Sequence, residues 1–243
     1  MKVGIISDIH SNIDALNAVL EEFDKNSVEK IICLGDVIGI GPYSEQAVKR
    51  LMEVDEKIIG FVLGNHEGYL LNGIPKHRHN REDAEEIPLE EVKLHSWNHK
   101  QLSNESFQYI RKKKVEEIIE VDGKRIYLSH YAMDKDGKYK SFYRYGTGEE
   151  LKSIYNGIET DAYLYGHTHT QHIVKHENKL YINPGSVGCP KNTDKACSVI
   201  LDIDEGIIKA SECNVEYDID KVISDIKKIS YPLNSMMIKV FYR

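Results

Sequence analysis

MKVGIISDIHSNIDALNAVLEEFDKNSVEKIICLGD, residues 1–36, sets a short apolar run at 3–6 ahead of a polar cluster, follows it with a helical pattern and closes on a second run at 31–34. Ile13, Leu16, Val19, Leu20 and Phe23 recur at three-to-four spacing behind Ser11 or Asn12, either of which can cap a helix. Residues 43–52 repeat that pattern, and 58–63 supply a third apolar run. Short, largely β-branched runs of this kind read as strands buried on both faces. Strand, helix, strand, helix, strand within 63 residues predicts right-handed crossovers and a parallel sheet. The loops of such a sheet gather at the carboxyl ends of its strands, where ligand chemistry is expected.

Downstream, residues 72–91 are polar and irregular, with Pro75, Pro88 and the charged stretch KHRHNRED at 76–83, and read as a long surface loop. Residues 90–111 predict one helix with Leu94, Trp97, Leu102 and Phe107 facing inward. Strand candidates at 117–121 and 125–128 flank Asp122-Gly123, a strong hairpin signal. Five more follow at 162–165, 173–175, 180–182, 196–203 and 207–213, with a turn at 204–206. An alternating first half and a strand-rich second half predict two sheets face to face with helices outside, an α/β sandwich in a single domain over residues 1–243. Residues 230–243 carry no pattern that assigns them.

A hydrophobic fraction of 41% with 29% charged residues excludes disordered, collagen-like and coiled-coil compositions. Thirty-two basic against thirty-nine acidic residues give a net charge of -7, which opposes attraction to a nucleic-acid backbone or an anionic membrane. Local positive charge, bound metal included, is still compatible with a small phosphorylated substrate as partner. Asp8 and His10 interrupt the first apolar run before a signal-peptide core or a membrane span is complete. Cys33, Cys189, Cys197 and Cys213 show no CxxC spacing, which fits a reducing cytoplasm and argues against a zinc-thiolate site.

Polar clusters follow directly on five of the strand candidates: Asp8-Ile9-His10, Gly35-Asp36, Gly64-Asn65-His66-Glu67, Ser129-His130 and Gly166-His167-Thr168-His169. Singly, each has an ordinary reading, Asp8 as a helix cap, Asp36 as a turn residue, the Asn-His pair as structural. Jointly, at strand ends that one sheet type brings together, they select a metal reading. Carboxylate oxygen, imidazole nitrogen and amide oxygen suit manganese, iron, nickel or zinc. The two histidines of GHTH alternate if the segment is extended, and would then face two different ions.

In order and spacing this set, from Met1 to about Ser186, resembles the motif of the calcineurin-like metallophosphoesterase superfamily. GDVIGIGP at 35–42 and YINPGSVG at 181–188 are similar to its compact bacterial and archaeal phosphodiesterase branch. The resemblance implies a four-layer αββα sandwich with two mixed sheets and a dinuclear metal centre, manganese first among the candidate ions. It assigns Asp8, His10, Asp36 and His169 to one ion and Asp36, Asn65, His130 and His167 to the other, with Asp36 bridging. Two such ions about 3.5–4 Å apart favour a bridging hydroxide as nucleophile and neutralise phosphoryl charge. His66 is then the acid or hydrogen-bond donor to the leaving oxygen.

Asn183, Gly185 and Ser186 are expected to aim backbone N–H groups at the substrate phosphate. Residues 76–83 and 135–144 are expected to form a basic, aromatic rim. The chain departs from the serine/threonine phosphatases of that superfamily at Gly39, Ile40 and Leu63, where those enzymes carry an aspartate and two arginines. It departs from many compact members at Tyr131-Ala132-Met133, after His130. The missing guanidinium groups point to a phosphodiesterase before a phosphomonoesterase or a nucleotide or dinucleoside polyphosphate hydrolase. The complete ligand set argues against a metal-degenerate interaction scaffold.

Overall fold

Alternation along the strands sorts this molecule into layers. In chain order the elements of the computed structural model, which describes residues 1–78, 81, 83–191, 193–229 and 231–242, begin with β1 (Lys2–Ile6), α1 (Ile13–Lys25), β2 (Lys30–Cys33), α2 (Ser44–Glu53), β3 (Ile58–Phe61) and α3 (Asn65–Asn72). Then come α4 (Leu89–His99), α5 (Asn104–Arg111), β4 (Glu116–Val121), β5 (Lys124–Ser129), α6 (Gly148–Ile154), β6 (Ala162–Leu164), β7 (Gln171–His176) and β8 (Lys179–Pro184). β9 (Ala196–Asp204), β10 (Ile207–Val215), α7 (Ile219–Lys228) and α8 (Asn234–Phe241) complete the described chain.

Two five-stranded mixed sheets form, in the orders β10-β9-β1-β2-β3 and β4-β5-β6-β8-β7. Each holds three parallel strands, β1, β2 and β3 in the first and β5, β6 and β8 in the second. Val3, Ile5 and Ile32 of the first sheet and Ile126, Leu128, Leu164 and Ile182 of the second share one buried cluster between the sheets. Their alternate neighbours point outward. Ile6, Ile31 and Cys33 pack with Leu16, Val19, Phe23, Val48 and Ile110 of α1, α2 and α5. Tyr127, Tyr163 and Tyr181 pack with Leu151 and Ile154 of α6. The result is the expected αββα order, and it turns both sets of parallel carboxyl ends toward one edge.

The first strands and α1 lie within a residue or two of their expected places. Asn12, rather than Ser11, caps α1, accepting from Ala15 N at 3.1 Å. The Asp122-Gly123 hairpin forms with positive φ at both residues, 49° and 72°, as a tight primed turn requires. One helix over 90–111 is corrected to α4 and α5. Ser103 interrupts it because its hydroxyl accepts from Ser106 N at 3.2 Å and caps the second segment. Ile110, not Phe107, is the apolar residue of α5 that is buried. α3, α6, α7 and α8 were not foreseen, and α8 lies in the stretch that carried no pattern. No described helix is long and apolar enough to cross a membrane.

Leu128 is fully buried between the sheets, whereas Leu89 is 64% exposed. Leu128→Ala is expected to cost about 2–5 kcal/mol through lost burial and a residual cavity. Leu89→Ala should stay within about 0.5 kcal/mol. Denaturant unfolding of both variants checks the contrast.

Candidate metal centre

The loops after β1, β2, β3, β5 and β6 meet at that edge, and their backbones are bent to do so. Asp8, His10, Asp36, His167 and His169 all have positive φ, between 48° and 69°. An L-residue in that region costs roughly 1–3 kcal/mol. Asp8 N donates to Gly35 O (3.0 Å), His10 N to Asp36 O (2.9 Å), His167 N to Asp8 Oδ2 (3.0 Å) and Gly166 N to His130 O (2.8 Å). Gly35 and Gly64 let the loops touch: a Cβ on Gly35 would lie 2.3 Å from Gly64 N, and one on Gly64 2.1 Å from Asp36 Oδ1.

The side chains converge in two linked clusters. In the first, Asp8 Oδ1 lies 3.3 Å from His169 Nε2 and 3.6 Å from His10 Nε2, and the two imidazole nitrogens are 2.9 Å apart. In the second, Asp36 Oδ2 lies 3.2 Å from His130 Nε2, which is 3.3 Å from His167 Nδ1, itself 3.0 Å from Asn65 Oδ1. Asp36 Oδ2 also lies 3.9 Å from His10 Nε2 and 4.0 Å from His66 Nε2, so it joins both clusters. All the candidate donors are thereby brought together. His167 and His169 reach different clusters, but through two left-handed residues rather than an extended segment.

The donor chemistry fits divalent metal. His130 Nδ1 lies 2.7 Å from Leu34 O and His169 Nδ1 2.9 Å from Cys189 O. Each carbonyl fixes the proton on Nδ1 and aims the Nε2 lone pair inward. Asp8 Oδ1 and His10 Nδ1 are buried with no hydrogen-bond partner among the described residues. Asn65 with its oxygen inward faces only acceptors, an orientation that a cation makes favourable; with its nitrogen inward it donates to Asp36 Oδ2 and His167 Nδ1.

Burial works to raise the Asp8 and Asp36 carboxyls, yet the facing imidazoles, His169 for Asp8 and His130 for Asp36, hold both well below the usual carboxylate range. Burial lowers the His10 imidazole. His130 moves the other way, up to about 10, because Asp36 and Asp8 outweigh its own desolvation. Two buried carboxylates demand positive charge here, and a metal cation meets that demand without a proton.

Behind the donors lies a buried carboxylate that sequence reasoning quoted without giving it a role. Glu67 Oε2 accepts from Asp36 N (2.9 Å) and Gly64 N (2.8 Å), and Oε1 from Val37 N (2.9 Å) and Ile38 N (3.1 Å). Burial and the Asp36 charge raise this carboxyl to about 7, against the pull of those amides.

His66 sits over Asp36. Its Nδ1 is sealed against Gly39, where a Cβ would lie 2.1 Å away, and makes no hydrogen bond among the described residues. Burial holds its imidazole well below the ordinary range; Asp36 opposes and His95 adds to the effect. His95, buried 5.0 Å from the His66 ring, was missed. Glu91, 3.6 Å from His95 Nε2, is gripped by Arg78 at 2.7 and 2.5 Å. The only signal in the sequence was the i, i+4 spacing of Glu91 and His95 on one helix.

Asn183, Gly185 and Ser186 call for a correction. They are buried and their polar groups turn into the protein. Asn183 Nδ2 donates to Gly166 O (2.8 Å), Gly185 N to Asn183 Oδ1 (2.9 Å) and Ser186 Oγ to Asp8 O (2.7 Å). The side chains of Asn183 and Ser186 and the Gly185 amide thus brace the ligand loops, and the Gly185 N–H is already taken. The rim is corrected in part. Arg78 and Arg81 are engaged by Glu91 and Asp83, while His79, Asn80 and Glu82 lie outside the described residues. Tyr139 and Phe142 do reach the centre, packing on the His167 ring at 5.2 and 4.5 Å.

A two-sheet α/β sandwich with a carboxylate-imidazole-amide donor set at its loop edge defines a metallohydrolase class. Residues 1–206 match the calcineurin-like phosphoesterase superfamily domain, and the chain belongs to this family of metal-dependent phosphoesterases. It is 30% identical over 247 aligned residues to the uncharacterized protein MJ0912 of Methanocaldococcus jannaschii, covering 95% of this chain and 93% of that one. It is 24% identical to phosphodiesterase YfcE of Escherichia coli K12 over 84% of this chain and 89% of that one. The metallophosphoesterase of Sphaerobacter thermophilus superposes with a TM-score of 0.75 at 23% identity, over 99% of this chain and 98% of that one, and shares the fold.

Glu67→Gln keeps the shape but turns an NH2 group toward amide donors. It is expected to cost roughly 2–4 kcal/mol, a fall in Tm of about 5–15 °C for a chain of this size. Metal affinity should fall with it. Calorimetric melts and metal titration check both.

Proposed function

We infer that this chain hydrolyses a phosphodiester of a small substrate, with two divalent ions held by Asp8, His10, Asp36 and His169 and by Asp36, Asn65, His130 and His167. The observation that carries this reading is the pair of donor clusters sharing the single Asp36 carboxylate. Divalent ions held by these residues would supply an activated water as nucleophile near neutral pH and would offset charge on the phosphoryl oxygens.

The chain's own residues do the rest. Asp36 holds the two clusters together, and its position is set by backbone bonds to Glu67 and not by a free rotamer. His66 offers Nε2 as a hydrogen-bond donor to the leaving oxygen, since Nδ1 is sealed. His95 and Tyr69 pack against its ring and keep it over Asp36. Tyr139 and Phe142 cover His167 and keep water from one side of the centre.

Diesters lead because the positions expected to supply a guanidinium clamp for a dianionic monoester do not supply one among the described residues. Leu63 and Ile40 supply none, and Arg78 is held in a bidentate pair with Glu91. Manganese is the ion we propose first. Four free cysteines, three of them buried, support a reducing compartment such as the cytoplasm.

Metal-stripped protein reconstituted with manganese, nickel, iron or zinc and assayed on aryl mono- and diesters tests the reading. The expected result is metal-dependent turnover with a higher kcat/KM for the diester than for the matching monoester; a strong monoester preference overturns the diester assignment. Asp36→Asn should abolish activity and lower metal content at both positions while the fold survives; two metals per chain with near-normal turnover would remove Asp36 as the bridge. His66→Ala should keep full metal occupancy and lose rate, mostly on substrates with poor leaving groups. Metal analysis beside a leaving-group series separates that outcome from loss of a ligand.

A further inference from the structure

A cavity of about 520 Å³ opens beside the second donor cluster. Its walls include Leu63, Tyr69, Ile74, Val115, Met133 and Tyr139, and among the described residues none that lines it carries a charge. Asn65, a candidate donor, forms part of the same wall, and Tyr139 continues from the groove onto the His167 ring, nearly parallel at 11°. The groove is therefore continuous with the centre on the side of Asn65 and His167. His66 meets the groove through Tyr69, 5.8 Å from its ring; its closer ring neighbours, His10 and His95 at 5.0 Å, lie outside the groove, and Gly39 closes its Nδ1.

We propose that this groove binds the ester arm of the substrate that points away from His66, and that the arm is an uncharged aromatic ring. The proposal rests on the diesterase reading and adds the chemistry of the arm to it. Two tyrosine rings in a wall that is mostly apolar, with the amides of Asn65 and Asn72 as its other polar side chains, favour a flat apolar group, by stacking as well as by area. An anionic arm is disfavoured, because apolar walls without a cation leave its charge unpaired. A polyphosphate arm would have to leave the groove for the cations beyond Tyr139, Arg81, Lys138 and Lys140, of which Arg81 is held by Asp83 and Lys140 by the Ile154 carbonyl.

Gly68 makes the groove testable. It lies in α3 on the groove wall, and a Cβ built on it meets nothing within 4 Å. Gly68→Leu therefore fills the groove from a helical position that favours leucine over glycine, and its Tm should not fall.

The experiment uses manganese-loaded protein and two diesters with the same 4-nitrophenolate leaving group and the same charge, phenyl 4-nitrophenyl phosphate and methyl 4-nitrophenyl phosphate. The wild type is expected to prefer the phenyl ester by roughly ten- to a hundredfold in kcat/KM, and Gly68→Leu should bring that ratio close to one. Val115→Glu, at a half-exposed wall position, should lower the ratio in the same direction without burdening the core. Saturation-transfer NMR with diphenyl phosphate on protein loaded with diamagnetic zinc supplies a readout apart from turnover, its ring protons receiving saturation from the wild type and losing it with Gly68→Leu. A wild-type ratio near one, or a ratio that neither variant changes, overturns the groove assignment. Ring saturation that Gly68→Leu removes, in a protein that turns over neither diester, would uphold the groove and overturn the diesterase reading instead.

Discussion

One carboxylate ties the centre together. Through Glu67, the residue two after Asn65 in α3 accepts backbone N–H groups from Asp36, Val37 and Ile38 as well as from Gly64 at its own helix start. Asp36 in turn accepts from His66 N at 2.8 Å and offers its carbonyl to His10 N, while Val37 O receives Ser11 N. Loops from three parallel strands are thus joined by bonds that begin at one side chain. Burying an ionised carboxyl is costly unless its lone pairs are filled, and here both oxygens take two donors each. An apolar residue of the same size would leave four amides unpaired at the spot where the geometry must be held most closely.

The left-handed residues explain why such bracing is needed. Asp8, His10, Asp36, His167 and His169 each adopt a backbone conformation that a non-glycine residue avoids. The reason is geometric. A strand leaving a sheet directs its next side chains apart, and at these five residues a sharp reversal turns carboxylate and imidazole toward a common point, which Asn65 and His130 reach without one. Glycine would remove the strain and also the donor. The strain is accordingly kept and offset by the web around it, in which Asn183 and Ser186 belong to the bracing set, fastened to Gly166 O and Asp8 O.

Legibility in the sequence followed the range of the interactions. The parallel strands and α1 were readable because burial on both faces, or on one helical stripe, writes itself into local periodicity. The Asp122-Gly123 turn was readable because positive φ selects those residue types. The donor set was legible since its members sit directly after apolar runs. What stayed hidden depends on long-range pairing. The break at Ser103 turns on competition between a hydroxyl and a helix, which periodicity does not register. α7 and α8 pack around Leu94, Ile40 and Cys189 in a separate cluster, and nothing local indicates where such helices dock. Glu67 was visible as a letter of the motif, but its four partners lie on two loops. The inward turn of Asn183, Gly185 and Ser186 was unreadable for the same reason, because a glycine-rich bend looks alike whether its amides face a substrate or a neighbouring loop.

The departures from the phosphatase pattern gain meaning when placed together. Leu63, standing where an arginine would reach for phosphate, lines the apolar groove instead, and Met133, from the altered segment after His130, lines it too. Gly39, in place of an aspartate, leaves room for the His66 ring, which leans on His95 and Tyr69. Tyr69 is both a neighbour of His66 and a wall of the groove, so the ring that orients the leaving-group side also shapes the side that receives the other arm. At these positions the chain presents apolar surface in place of the charge that would grip a dianion. A monoester has no second arm to place there, whereas a diester has one and carries one negative charge fewer. On the diesterase reading, the same substitutions would weaken the hold on one substrate class and strengthen it on the other, and a single groove would account for both.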